Sequence, residues 1–339
     1  MPITSQVTIP DKSNAGGKIK RVFSTATYPG LIDRQKVRES LAELIEQGRI
    51  TNRDEQLFEY LRELNVLSLD QVRRLLWPRA KEATAYNRLY FLSKQYLLSQ
   101  ARIPASGMHE WGLPAGNVYS LGLGGWLWLR QEVNQSLATR HLRREQVLHD
   151  LLNAEIYVRL VEATWTRGET WSVSWAGEEA ASYYASSRDR FPLLAPDSLA
   201  VIRQQRGDQM AVLPFFIELD KGREAHGRPS SDWGRKVHGY DRFAGSDWKV
   251  HPQLGSLPEF PLVAVITHGV QRLLNLAQAI VKHRQAGVTY CLTLWSDLVE
   301  SELDILAAPA WLTITPEGKV FGREREQRES LITVAGRKR

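Results

Sequence analysis

Cysteine is almost missing from this chain. Of 339 residues only Cys291 carries a thiol, so no internal disulfide can form and the fold must hold by burial and hydrogen bonding. That usage suits a reducing compartment, and the apolar surroundings of Cys291 (VTYCLTLW, 288–295) read as those of a buried structural thiol rather than a nucleophile. Long apolar runs are missing too: none approaches the ~20 residues of a membrane span. The opening MPITSQVTIPDKSNAGGKIKR has no apolar signal-peptide core. Together these absences lead us to expect a soluble, cytoplasmic protein with no membrane partner. The glycine-rich GLGGWLWL (122–129) lacks the GxGxxG spacing of a dinucleotide fingerprint. No RNP-like aromatic strand pair or KH-type GXXG loop speaks for RNA.

What is present is basic charge, unevenly placed. The formal net charge is +6; residues 1–150 hold 21 Lys/Arg against 15 Asp/Glu, while the rest of the chain carries 23 of each. The whole surplus is N-terminal, which favours a polyanionic partner for that half. The length suggests two domains, each large enough for its own core. The 11 tryptophans read as packing anchors.

Residues 1–50 read as a basic arm, with Lys18, Lys20 and Arg21 after Gly16-Gly17, followed by a helix over 33–48 with Val37, Leu41, Leu44 and Ile45 on one face. Residues 51–135 read as one module. A helix begins at a cap-like Thr51 or Asn52 and places Leu57, Tyr60, Leu61 and Leu64 on one face; a short one covers 69–77; a third runs from Glu82 to about Leu98. Three helices with a tight turn between the last two are the helix-turn-helix pattern, and the Gly/Pro-rich 102–121 suits the β-hairpin of a winged helix. On that reading the third helix enters the major groove of double-stranded DNA. It would offer Thr84, Asn87 and Arg88, with Tyr86, Leu89 and Leu92 inward; Arg79 and Lys81 would meet phosphates, and Lys94 and Arg102 would add basic contacts. A homodimer is compatible with the paired half-sites such modules use. A helical bundle with a solvated basic face remains the competing reading.

From residue 136 the pattern alternates: a long helix over 138–164 containing His149, Asp150, Asn153 and Glu155, strands at 171–175 and within 191–222, a helix at 233–243, a strand at 261–269, a helix at 270–284 and a last strand at 288–295. Residues 301–339 read as a charged, mobile extension. The awkward stretch is FPLLAPDSLAVIRQQRGDQMAVLPFFIELDKG (191–222), two apolar strands carrying Asp197, Glu218 and Asp220 where strands disfavour acids. Glu218, Asp220 and Phe216 share a face because strand side chains alternate. Such acids are a candidate divalent-metal site, since Mg²⁺ needs only one or two carboxylates plus water and phosphate; a solvated hairpin end is the bland alternative.

The order helix, three strands, helix, strand, helix, strand resembles the αβββαβ core of the restriction-endonuclease-like, or PD-(D/E)xK, nuclease fold. Pro196-Asp197 matches the PD, Glu218 the second acid and Glu155 the helical Glu. The lysine position two after Glu218 is held by Asp220, Lys221 points to the other face, and Lys236 on the next helix is a spatial substitute. Taken whole, the chain resembles the replication-relaxation family of plasmid and mobile-element proteins through HDLLNAE (149–155), APD (195–197), IELDKG (217–222) and the Lys236…Tyr240 pair. The resemblance implies an α/β (α+β) chain: an N-terminal winged helix-turn-helix domain (51–135) followed by a nuclease-like domain with a mixed sheet (136–300). It also implies a setting in plasmid replication and relaxation. In a catalytic version Asp197 and Glu218, with Glu155, would hold Mg²⁺ or Mn²⁺; Asp220 would add a carboxylate and Lys236 would stabilise charge or orient the nucleophile. In a non-catalytic version the chain would be a sequence-specific DNA-binding regulator or initiator whose nuclease-like domain serves binding or oligomerisation. Tyr157 and Tyr240 lack the flanking His pair of a tyrosine relaxase.

Overall fold

The computed structural model describes residues 33–103, 111–113, 115–129, 144–184, 190–222, 232–285, 287–299 and 304–336. The expected basic arm, the tip of the expected wing and the Gly/Ser/Pro loop expected over 224–231 lie outside the described residues. The chain divides into two compact units, Met1–Val158 and Arg159–Arg339. No helix among the described residues is long and apolar enough to cross a membrane.

In the first unit, α1 (Arg34–Glu46) starts where the Asp33 side chain accepts from the amides of Gln35 and Lys36. The next helices each begin with a reciprocal cap that satisfies amides the helix itself cannot. Thr51 and Asp54 cap α2 (Asn52–Leu64), and Ser68 and Gln71 cap α3 (Leu69–Leu76). Strand β1 (Leu67–Ser68) joins them. Helix α4 (Glu82–Lys94) buries Ala85, Leu89 and Leu92. It ends earlier than expected because the chain turns at Tyr96, whose φ is 61°, and Leu98 already belongs to β2 (Leu98–Ile103). Strand β2 pairs antiparallel with β3 (Gly116–Leu121), from Leu98↔Leu121 to Ile103↔Gly116, and β1 lines the other side of β3. A short α5 (Leu123–Trp128) follows. The glycines of GLGG are explained by contact: a Cβ at Gly122 or Gly125 would collide with backbone atoms of Tyr96 or Leu97, so only glycine lets α5 lie against that turn.

Two expectations about α4 are corrected. Tyr86 is exposed rather than in the core. Arg88 is turned aside: its Nε donates to Asp54 Oδ1 at 2.9 Å, its guanidinium also pairs with Asp54 Oδ2, and it donates to the Arg49 carbonyl at 2.7 Å. Asp54 is fully buried, so Arg88 compensates a carboxylate that already closes the α2 cap and thereby ties α4 to α2.

Helix α6 (Arg144–Arg167) runs across the division between the units. The second unit is built on a seven-stranded sheet. Strands β4 (Trp171–Gly177), β5 (Ser198–Arg206) and β6 (Gln209–Asp220) form an antiparallel meander. After α7 (Asp232–Ala244), β7 (Leu262–Thr267) pairs parallel with β6; after α8 (Val270–His283), β8 (Tyr290–Leu294) pairs parallel with β7. The fold is thus mixed α+β with a mixed sheet, and strands β7 and β8 are buried throughout, as parallel strands covered on both faces must be. The C-terminal stretch is not an extension beyond a last strand at 288–295: after α9 (Trp295–Val299), β9 (Leu312–Ile314) pairs with β8, β10 (Val320–Phe321) pairs with β9, and α10 (Leu331–Gly336) follows. Its charge hid this role, because the three residues of β9 give too short an apolar signal.

Arg88→Ala leaves Asp54 buried without its cation. Because Arg88 itself is partly exposed, we expect a loss of about 2–3 kcal/mol, measured by urea unfolding; an unchanged midpoint would show that Asp54 does not depend on it.

Candidate functional site

The site is built where α7 lies over one face of β6. On the strand, Phe216, Glu218 and Asp220 share a face at two-residue spacing. On the helix, Trp233, Lys236, Val237 and Tyr240 share a stripe at i, i+3, i+4 and i+7. Phe216, Trp233, Val237 and Tyr240 belong to one apolar core, and into that core the strand carries two carboxylates, each about 1% exposed.

Glu218 is met entirely from α7. Lys236 Nζ lies 2.6 Å from Oε2, and the Tyr240 hydroxyl donates to Oε1 at 2.7 Å. Burial pushes the Glu218 carboxyl up to about 7; the ammonium of Lys236 opposes the shift and the negative charge of Asp197 adds to it. Burial and the neighbouring Glu218 likewise hold the Tyr240 phenol well above its ordinary value, so Tyr240 stays a donor. Asp197 stands just before β5. Its amide donates to the Ile217 carbonyl at 3.1 Å, and its Oδ2 accepts from the Leu219 amide at 2.6 Å. The antiparallel ladder, with Ser198 opposite Ile217, therefore brings Asp197 beside Glu218.

Asp220 is held differently. Arg272 of α8 grips it through Nε at 2.7 Å and Nη2 at 2.6 Å, Thr267 Oγ1 donates at 2.8 Å and Trp233 Nε1 at 3.2 Å. Burial alone would raise this carboxyl, but the Arg272 and Thr267 hydrogen bonds and the Arg272 charge outweigh it and hold it below its ordinary value. Thr267 stands opposite Asp220 in the β6–β7 register, and α8 begins three residues later, which delivers Arg272 to the same point.

Of the expected site residues, Asp197, Glu218 and Lys236 come together, with Asp220 two residues along the strand. Glu155 is held within the first unit: Arg74 Nη1 lies 2.8 Å from its Oε1, and Gln71 Nε2 donates to its Oε2 at 3.2 Å. Of the expected DNA contacts, Arg79, Lys81, Thr84, Asn87 and Lys94 are exposed around α4, and Arg102 is exposed on β2. Arg88 is committed to Asp54. Sequence reasoning missed Arg272, Thr267 and Trp233 as partners of Asp220; Arg272 lies 52 residues from it, beyond any local signal. The i, i+4 spacing of Lys236 and Tyr240 was visible, and it is what aims both at Glu218.

Asp197 and Glu218 are hard oxygen donors of the kind Mg²⁺ or Mn²⁺ takes, and two carboxylates suffice when water and phosphate fill the remaining positions. Among the described residues no group of three or more His, Cys, Asp and Glu is placed to hold a metal, so any metal here would draw on Asp197 and Glu218 alone. The sequence model of the replication-relaxation family matches residues 58–257. No match was found among curated proteins or among solved structures.

The raised Glu218 carboxyl has a signed consequence for stability. Its proton is bound more tightly in the folded chain than in the unfolded one, where the value is near 4.5. Its contribution is therefore full below about 4.5 and is lost as pH rises through about 7. Thermal melting of the wild type should fall across that window, whereas Glu218→Gln should be nearly flat; parallel curves would remove Glu218 as the titrating group.

Proposed function

The chain belongs to the replication-relaxation family, and from that premise we propose that it is a double-stranded-DNA-binding protein of plasmid or mobile-element replication whose second unit is a metal-dependent nuclease that nicks or cleaves DNA. The observation that carries the catalytic part is the convergence of Lys236 on Glu218 at 2.6 Å beside Asp197. It rebuilds an acid–acid–lysine set although the strand position usual for the lysine holds Asp220. The meander β4–β6 followed by parallel β7 and β8 supports reading the second unit as a PD-(D/E)xK-like core, and the succession of α2–α4 with β1–β3 supports reading the first as a winged helix.

In this reading Asp197 and Glu218 hold Mg²⁺ or Mn²⁺, which supplies charge neutralisation at a phosphodiester and acidifies a water. The chain's own part is positioning. Tyr240 fixes the Glu218 carboxylate by its hydrogen bond, and the Leu219 amide fixes Asp197. Lys236 alternates between balancing Glu218 and stabilising negative charge on the phosphate oxygens. Asp220, saturated by Arg272, Thr267 and Trp233, anchors the end of β6 rather than serving as a ligand. Glu155 supports the α3–α6 contact. The non-catalytic reading has one observation of its own: both oxygens of Glu218 are already satisfied by Tyr240 and Lys236, so the network is stable as a purely structural one.

Supercoiled plasmid incubated with the protein and Mg²⁺ or Mn²⁺ separates the two. We expect wild-type nicking that rises with pH as Glu218 ionises, is abolished by Asp197→Ala and by Glu218→Ala, and falls ~10²-fold in Lys236→Ala. Nicking indifferent to both acid substitutions overturns the assignment, and no nicking by the wild type leaves the binding protein. For the first unit, Arg79→Ala with Lys81→Ala should weaken duplex binding regardless of sequence and lower the slope of log K against log salt by about 2. An unchanged slope would remove these residues from the DNA contact.

A further inference from the structure

Helix α4 has a side that the core does not use. Ala85, Leu89 and Leu92 point inward, and the opposite side carries Tyr86, Asn87, Tyr90 and Lys94. Tyr86 and Tyr90 are 39% and 47% exposed. They stand one turn apart with ring centroids 6.2 Å apart and planes at 22°, and Lys94 Nζ sits 5.1 Å from the centroid of the Tyr90 ring. Two large rings left in water expose apolar area that folding normally hides. Here they stack on each other, with the ammonium against the Tyr90 ring. The surrounding charge selects the partner. Arg79 and Lys81 are exposed just before the helix and Lys94 at its end, while Glu82 is the helix's one acid.

We infer that Tyr86 and Tyr90, with Asn87 between them, form the surface by which α4 contacts the grooves of duplex DNA. This rests on the DNA-binding reading above and replaces Arg88 in its recognition part. The rings present apolar faces and edges of the kind that meet thymine methyls and deoxyribose, the hydroxyls can donate to phosphate oxygens, and Asn87 has the donor–acceptor pair that reads adenine. Because the pair is pre-stacked, little side-chain entropy is lost on contact.

The test compares three full-length proteins on a short random-sequence duplex, on duplexes that the wild type selects from a randomised pool, and on a single-stranded oligonucleotide, across a salt series. We expect Tyr86→Ala/Tyr90→Ala to lower affinity for the selected duplexes about tenfold with the salt slope unchanged, while Arg79→Ala/Lys81→Ala flattens the slope on both. Single Tyr→Gln variants repeat the measurement should the double variant fail to fold. Unchanged affinity of the tyrosine variants, with the arginine–lysine variant still impaired, overturns this inference alone; so does a loss confined to a single-stranded oligonucleotide. A wild type that binds no duplex overturns the DNA reading itself, and this inference with it.

Discussion

Two buried carboxylates on one face of β6 set the terms for the second unit. An unpaired buried acid is costly enough that it would be protonated or would unfold its surroundings, so Glu218 and Asp220 must each be met by donors from other elements. Glu218 takes its donors from α7, and Asp220 takes most of its from α8 and the end of β7. The helices that close this face are thus held in register with the strand by charge as well as by apolar packing. Trp233 serves both, with its ring in the core and its Nε1 on Asp220.

The two acids end in opposite states although they stand two residues apart. Asp220 faces a guanidinium that matches both its oxygens, and its charge is secure. Glu218 faces one ammonium and one phenol with Asp197 nearby, and its charge is marginal near neutrality. A group balanced in this way responds to an arriving cation, whereas a group like Asp220 does not. This contrast in surroundings, more than the identity of either residue, distinguishes the two carboxylates.

The alternation of elements in residues 138–295 could be read from the sequence because long helices and buried strands have strong periods, and the strand face shared by Phe216, Glu218 and Asp220 follows from alternation alone. The approach of Lys236 to Glu218 was legible as a possibility once the strand lacked its lysine. The grip of Arg272 was not, since it depends on the crossover that brings α8 to the end of β6. Nor could Arg88 be distinguished from Asn87 by spacing: both lie on α4 away from the core centre, and only the position of Asp54 at the head of α2 decides which one is spent. The strands β9 and β10 were hidden by their brevity, and Tyr86 by its aromaticity, which reads as core in any periodicity argument.

The latch on Asp220 also bears on the order in which the chain folds. The hairpin of β5 and β6 joins through a short turn at Gly207-Asp208 and can close early, since its contacts are local. Its far end then carries acids whose partners arrive only after α7, β7 and the start of α8 have been laid down. Until that happens the strand is an unfinished sheet edge in a state rich in exposed apolar residues, the kind of intermediate that sticks to other chains. The same acids that later demand burial blunt that edge with like charge. Replacing them by apolar residues would strand Lys236 and Arg272 in the finished core and leave the unfinished edge unprotected.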